Sequence, residues 1–145
     1  MENYPKVLIV DDNTEMVSYL KEIFSDFVNC TFAFNGNEAL AKVNDTNFDL
    51  IISDVRMPEM NGFQFKKELN ETSHCREIPF ILMSSVSETK SNKFKTDLGI
   101  NDYLEKPFTK NEIISRVQLS LERTLNRKKI VGEKNITDFD SNSNR

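Results

Sequence analysis

Leu50-Ile51-Ile52-Ser53-Asp54-Val55-Arg56-Met57-Pro58-Glu59-Met60-Asn61-Gly62 is the stretch on which the fold turns. Its opening apolar run, Leu50 to Ile52, is too short for a helix and suits a buried strand, expected over Leu50 to Ser53. A lone carboxylate, Asp54, follows, and then Pro58 and the Asn61-Gly62 pair, which signal a turn. In an open α/β sheet the carboxyl ends of the strands are where ligands bind. An isolated aspartate there is more often a cap or turn residue. The surrounding chain decides the matter.

The same pattern recurs on either side. Lys6 to Val10 reads as strand 1, a continuous apolar run suited to a strand covered on both faces, and ends in Asp11-Asp12-Asn13. From Thr14 the period changes: Met16, Val17, Leu20, Ile23, Phe24 and Phe27 form a helical stripe, with Asn13 or Thr14 as its cap. Cys30 to Ala33 is a short strand 2, Asn35-Gly36 a turn, and Asn37 to Val43 a helix with Ala39, Leu40 and Val43 inward. After Gly62 a third helix carries Phe63, Phe65 and Leu69, then fades into the polar loop Asn70 to Glu77.

Pro79 to Met83 is strand 4, with proline at its edge, and it ends in Ser84-Ser85. Ser87 to Leu98 is expected as a fourth, very polar helix anchored by Phe94 and Leu98 and closed by Gly99. Asp102 to Leu104 is strand 5, ending in Glu105-Lys106-Pro107. A last helix runs from Thr109 to about Asn126, with Ile113, Ile114, Val117, Leu121 and Leu125 on one face. Strands alternating with helices predict a flavodoxin-like doubly wound α/β domain. Its five parallel strands are expected in the order 2-1-3-4-5, with helices on both faces.

Composition sets limits. With 145 residues, 38% hydrophobic and 29% charged, the chain is expected to make one ordinary globular domain. No apolar run approaches the roughly 20 residues of a membrane span, and Met1 to Lys6 lacks the pattern of a signal peptide. Cys30 and Cys75 suggest reduced thiols rather than a disulfide framework. The single histidine, His74, lies in a polar stretch and reads as solvated, which disfavours a histidine-rich metal site. A cytoplasmic location is expected. Residues 126–145 carry five basic and three acidic side chains, a net of +2, which leaves −6 of the total −4 on residues 1–125. A domain that acidic is poorly suited to phosphate backbones and better suited to a cation or a basic partner.

The strand ends share one edge of such a sheet. Strand 1 supplies Asp11 and Asp12, strand 3 supplies Asp54, strand 4 supplies Ser84, and strand 5 supplies Lys106. Converging carboxylates repel and raise each other's proton affinity; a hard cation at an all-oxygen site, Mg²⁺ above all, relieves this. The set suits transfer of a phosphoryl group to a carboxylate nucleophile, with metal and ammonium offsetting charge and a hydroxyl orienting an oxygen. No single member is specific. Their joint occurrence at successive strand ends is.

Across about residues 5–126 the sequence resembles the receiver domains of two-component response regulators and hybrid sensor kinases. The resemblance rests on Val7 to Asn13, Asp49 to Pro58 with Gly62, Ile78 to Ser85, and Asp102 to Phe108. It implies that Asp54 is the phosphate acceptor and that Lys106 and Ser84 contact the phosphoryl group. It further implies that Mg²⁺, replaceable by Mn²⁺, is held by Asp12 directly, by Asp11 through water, by Asp54 and by the Arg56 carbonyl. The Lys106-Pro107 bond is expected to be cis. Ser84 and Tyr103 would switch the face made by the fourth helix, strand 5 and the last helix, although Tyr103 is also readable as an ordinary half-buried strand aromatic.

Departures from the family pattern are Ser84 in place of threonine, the polar Ser85, and Ile100-Asn101 in place of a small–acidic pair. Arg56 and Val86 hold positions that tune the lifetime of the acyl phosphate in the family. Residues 1–126 are thus expected to form the receiver and 127–145 a polar, slightly basic, flexible linker or tail. Expected partners are a histidine kinase or phosphotransfer domain, a C-terminal DNA-binding output domain outside these residues, and a second copy on phosphorylation. The receiver itself is expected to bind neither nucleic acid nor membrane, and to catalyse only its own phosphorylation and dephosphorylation. The alternative is a stand-alone or hybrid-kinase receiver that relays phosphate or serves as an interaction module. A phosphatase of the haloacid dehalogenase type needs an acid where Arg56 stands, and a flavin site or GTPase lacks its glycine-rich loop.

Overall fold

The apolar runs are strands and the amphipathic stripes are helices throughout residues 3–85 and 98–136, which this computed structural model describes; beyond Thr124 it describes the backbone alone. The strands are β1 (Lys6–Val10), β2 (Asn29–Ala33), β3 (Leu50–Asp54), β4 (Phe80–Ser84) and β5 (Asp102–Glu105). They form one parallel sheet in the order β2-β1-β3-β4-β5, as the alternating pattern predicts. The helices are α1 (Thr14–Phe24), α2 (Gly36–Asp45), α3 (Gly62–Leu69), α4 (Ser73–Arg76) and α5 (Lys110–Ile136). The expected helix from Ser87 lies outside the described residues, as do Val86 and residues 137–145.

Alternate residues of the central strands feed two separate cores. Leu8, Val10, Ile51, Val55 and Leu82 pack with Ala39 and Val43 of α2 and Phe65 and Leu69 of α3. Val7, Ile9, Leu50, Ile52, Ile81 and Met83 pack with Leu20 and Phe24 of α1 and Ile113, Val117 and Leu121 of α5. Burial on both faces is why these strands read as unbroken apolar runs. Register is therefore strongly constrained: Val10 lies opposite Ser53, Asp54 opposite Met83, and Ser84 opposite Glu105. That register brings the polar strand ends level. Among the described residues no helix is long and apolar enough to cross a membrane. Cys30 and Cys75 are free thiols, and burial pushes Cys30 up to about 11.

Three features depart from the expected elements. First, α5 continues past Asn126 to Ile136. An already nucleated helix propagates through good helix formers such as Arg127, Lys128, Lys129, Glu133 and Lys134, so the apolar stripe ends before the helix does. Second, the polar loop after α3 contains the single turn α4, capped by Thr72, whose hydroxyl accepts the Cys75 N–H at 3.3 Å and helps bury that thiol. Third, Ile100-Asn101 has a structural role. Ile100 is in the core, and Asn101 brackets Phe80: its N–H donates to the Phe80 carbonyl at 3.0 Å, while its Oδ1 accepts the Phe80 N–H at 2.7 Å. The β4–β5 ladder thus begins before β5 does.

Lys66 is the least expected core residue. It is 0% exposed, its Nζ donates to the Arg76 carbonyl at 3.3 Å, and it lies 5.7 Å from the centre of the Phe80 ring. Desolvation holds its pKa below the usual lysine range, against a smaller opposing effect of Glu77. A folded-state pKa below the unfolded one means that the charge costs stability at neutral pH. That cost fades as pH rises toward the unfolded value. Lys66→Met keeps the packing and removes the charge; its urea midpoint at pH 7 is expected to exceed wild type by about 1 kcal/mol of stability. The gap should narrow toward pH 10, and a less stable variant at pH 7 would show that the carbonyl and ring contacts outweigh desolvation.

Candidate functional site

β1 and β3 end side by side, which places Asp11, Asp12 and Asp54 together. One oxygen from each carboxylate lies within 4.8 Å of the others. Asp11 is 0% and Asp54 7% exposed, whereas Asp12 faces solvent. Burial pushes the Asp11 carboxyl up to about 6; the Asn13 N–H, donating to Oδ1 at 2.9 Å, pulls it back, Asp54 and Asp12 raise it, and Lys106 lowers it. Asp11 Oδ2 is buried without a hydrogen-bond partner among the described residues, 3.8 Å from the Lys106 ammonium. Buried oxygens are ordinarily satisfied. An acid cluster with one such oxygen uncovered fits a divalent cation held by oxygen ligands.

β5 delivers the counter-charge. Lys106 follows Glu105, and its backbone N–H donates to the Ser84 carbonyl at 2.7 Å, locking the ends of β4 and β5 together. Its Nζ then reaches across the sheet to Asp54 Oδ1 at 3.0 Å. The Lys106-Pro107 bond is cis, as the resemblance implied. Ser84 is fully buried, and its hydroxyl has no hydrogen-bond partner among the described residues. Tyr103 is half-buried against the α2–α3 side of the core, with its carbonyl accepting from Arg116 of α5 at 3.0 Å.

The far wall of the site is the loop between β3 and α3. An open cleft of about 530 Å³ is lined by Asp12, Asn13, Asp54, Arg56, Pro58 and Lys106, among others. Asp11, Ser84 and Tyr103 do not line it. The loop turns at Glu59, whose φ of 70° is left-handed and accompanies a Met60 N–H to Pro58 carbonyl bond of 2.7 Å, a γ-turn. Asn61 closes it with a capping box: its Oδ1 accepts the Gln64 N–H and its own N–H donates to Gln64 Oε1, both at 2.8 Å.

The arrangement unites Asp11, Asp12, Asp54 and Lys106 directly and seats Ser84 beside them. Contacts with Asn13 and the cleft walls of Val55, Met57 and Asn61 were not singled out from the sequence. Asn13 reads from the sequence only as a cap, whereas the fold also sets its N–H on Asp11 Oδ1. Residues 7–118 match the response regulator receiver domain model. The chain belongs to that family. This receiver domain is 36% identical over 120 residues to the transcriptional regulatory protein CpxR of Klebsiella pneumoniae, covering 82% of this chain and 50% of that protein. It is 32% identical over 117 residues to hybrid signal transduction histidine kinase D of Dictyostelium discoideum, covering 81% of this chain and 8% of that one. Among solved structures, chemotaxis response regulator CheY4 of Vibrio cholerae superposes with a TM-score of 0.75 at 33% identity, covering 82% of this chain and all of that one. The chain thus spans half or less of the length of these two curated relatives.

Gly62 shows why the receiver needs its glycine. A Cβ there would collide with the Asp54 carbonyl oxygen and lie 2.8 Å from Leu82 Cδ1. Gly62→Ala is therefore expected to lose about 1–3 kcal/mol in urea denaturation, the usual range for overpacking. An unchanged midpoint would mean that α3 shifts freely.

Proposed function

We propose that this receiver accepts a phosphoryl group on Asp54 from the phosphohistidine of a histidine kinase or phosphotransfer domain. An Asp54 oxygen attacks phosphorus in line; the P–O bond forms as the P–N bond breaks, and the imidazole nitrogen leaves with the electron pair and is neutralised by a proton. The observation that carries this reading is Lys106 Nζ at 3.0 Å from Asp54 Oδ1 beside an incompletely satisfied acid cluster. Lys106 offsets charge on the transferred group, and the Ser84 hydroxyl donates to one of its oxygens. Asp11, Asp12, Asp54 and the Arg56 carbonyl would hold Mg²⁺. When bound, the ion supplies positive charge at the phosphoryl oxygens.

Recruitment of Ser84 toward the phosphoryl group, with inward rotation of Tyr103, is the switch we assign. For output, the match to half of CpxR, named a transcriptional regulatory protein, favours a DNA-binding domain joined beyond residues 1–126 through 127–145. The net charge of −6 on residues 1–125 argues against the receiver gripping nucleic acid itself. The hybrid-kinase match favours a second reading, a relay receiver within a kinase.

Incubation with acetyl phosphate and Mg²⁺, followed by intact mass, should show one added phosphoryl group in wild type and none in Asp54→Asn. An adduct that persists in Asp54→Asn would overturn the acceptor assignment. Arg56 lines the cleft beside Asp54, so Arg56→Ala should change the dephosphorylation rate severalfold, about the effect of one lost polar contact. An identical phosphate half-life would remove Arg56 from that role.

A further inference from the structure

Ser53 breaks the apolar pattern of β3. Its neighbours on the same face, Ile51 and Val55, belong to the α2–α3 core, yet Ser53 is a fully buried hydroxyl. Buried hydroxyls are costly unless bonded. This one donates to the carbonyl of Asp54 at 2.9 Å, the same oxygen that α3 approaches so closely at Gly62.

Three bonds then fix consecutive backbone groups. The Asp54 carbonyl is held by Ser53 Oγ. The Val55 N–H, on the other side of that peptide plane, donates to the Met83 carbonyl of β4 at 3.0 Å. The Val55 carbonyl accepts the Gly62 N–H at 2.8 Å. Between Val55 and Gly62 runs the loop that walls the cleft and carries Arg56. The peptide that leaves the acceptor is thus held at both its polar atoms, its carbonyl by the Ser53 hydroxyl.

We infer that Ser53 is a positioning residue for this site: its hydroxyl orients the Asp54–Val55 peptide and so the Asp54 carboxylate and the Arg56 carbonyl at the cleft. The inference rests on the reading of that cleft as a divalent-cation and phosphoryl site. Ser53 touches neither the cleft nor the reacting atoms; it acts through the backbone. Holding ligands in place before binding is what such an outlying contact contributes.

The test uses the full chain as wild type, Ser53→Ala and Ser53→Thr, each confirmed folded by its amide spectrum. Mg²⁺ affinity is measured by calorimetry, and exchange of the Gly62 amide is followed without metal. Ser53→Ala should bind Mg²⁺ about fivefold more weakly, the weight of one ordinary hydrogen bond, with faster Gly62 exchange. Ser53→Thr, which keeps the hydroxyl, should stay within about twofold of wild type on the same scale. Wild-type affinity in Ser53→Ala, or equal loss in both variants, would overturn the inference and leave Ser53 a packing residue. Absence of Mg²⁺ binding in wild type would overturn the reading of the cleft itself.

Discussion

Three carboxylates held within 4.8 Å of one another are the constraint around which this molecule is arranged. In water such a cluster is tolerable; beside a sheet core, with Asp11 fully buried, its repulsion grows as screening falls. The fold answers in part. Lys106 reaches Asp54 and approaches Asp11, and the Asn13 amide covers one Asp11 oxygen. Among the described residues the second Asp11 oxygen and the Ser84 hydroxyl find no hydrogen-bond partner. A protein selected for stability alone would replace such groups; their retention suits a site completed by a cation and a phosphoryl group.

Apolar packing and backbone bonds do most to position the cluster. Two cores, one on each face, lock the register of β1, β3, β4 and β5, and that register sets Val10 opposite Ser53, Asp54 opposite Met83 and Ser84 opposite Glu105. The Lys106 N–H on the Ser84 carbonyl adds the last strand to the same edge. Asn101 performs a comparable task at the opposite end of β4, pairing with both polar groups of Phe80. The pair Ile100-Asn101, which departs from the family pattern, therefore extends the sheet.

What the sequence made legible was the part written in periodicity and strand ends. Unbroken short runs such as Val7 to Val10 read as strands covered on both faces, and the acids, hydroxyl and lysine follow them directly. Other features leave no local mark. Lys66 looks like any lysine on a helix, and only its burial, with its ammonium on the Arg76 carbonyl of α4 and over the Phe80 ring, sets it apart. The end of α5 is invisible because the apolar stripe of Ile113, Ile114, Val117, Leu121 and Leu125 stops before the helix does. Ser53 reads as strand filler until its hydroxyl is seen on the Asp54 carbonyl.

The most direct measurement is thermal melting of wild type and Asp11→Asn, each with and without Mg²⁺. If acid crowding is the governing strain, Asp11→Asn without metal should melt a few degrees above wild type, corresponding to about 1 kcal/mol. Mg²⁺ should raise the wild-type midpoint and leave that of Asp11→Asn nearly unmoved. A metal-free Asp11→Asn that melts below wild type, or that gains as much from Mg²⁺, would contradict the account.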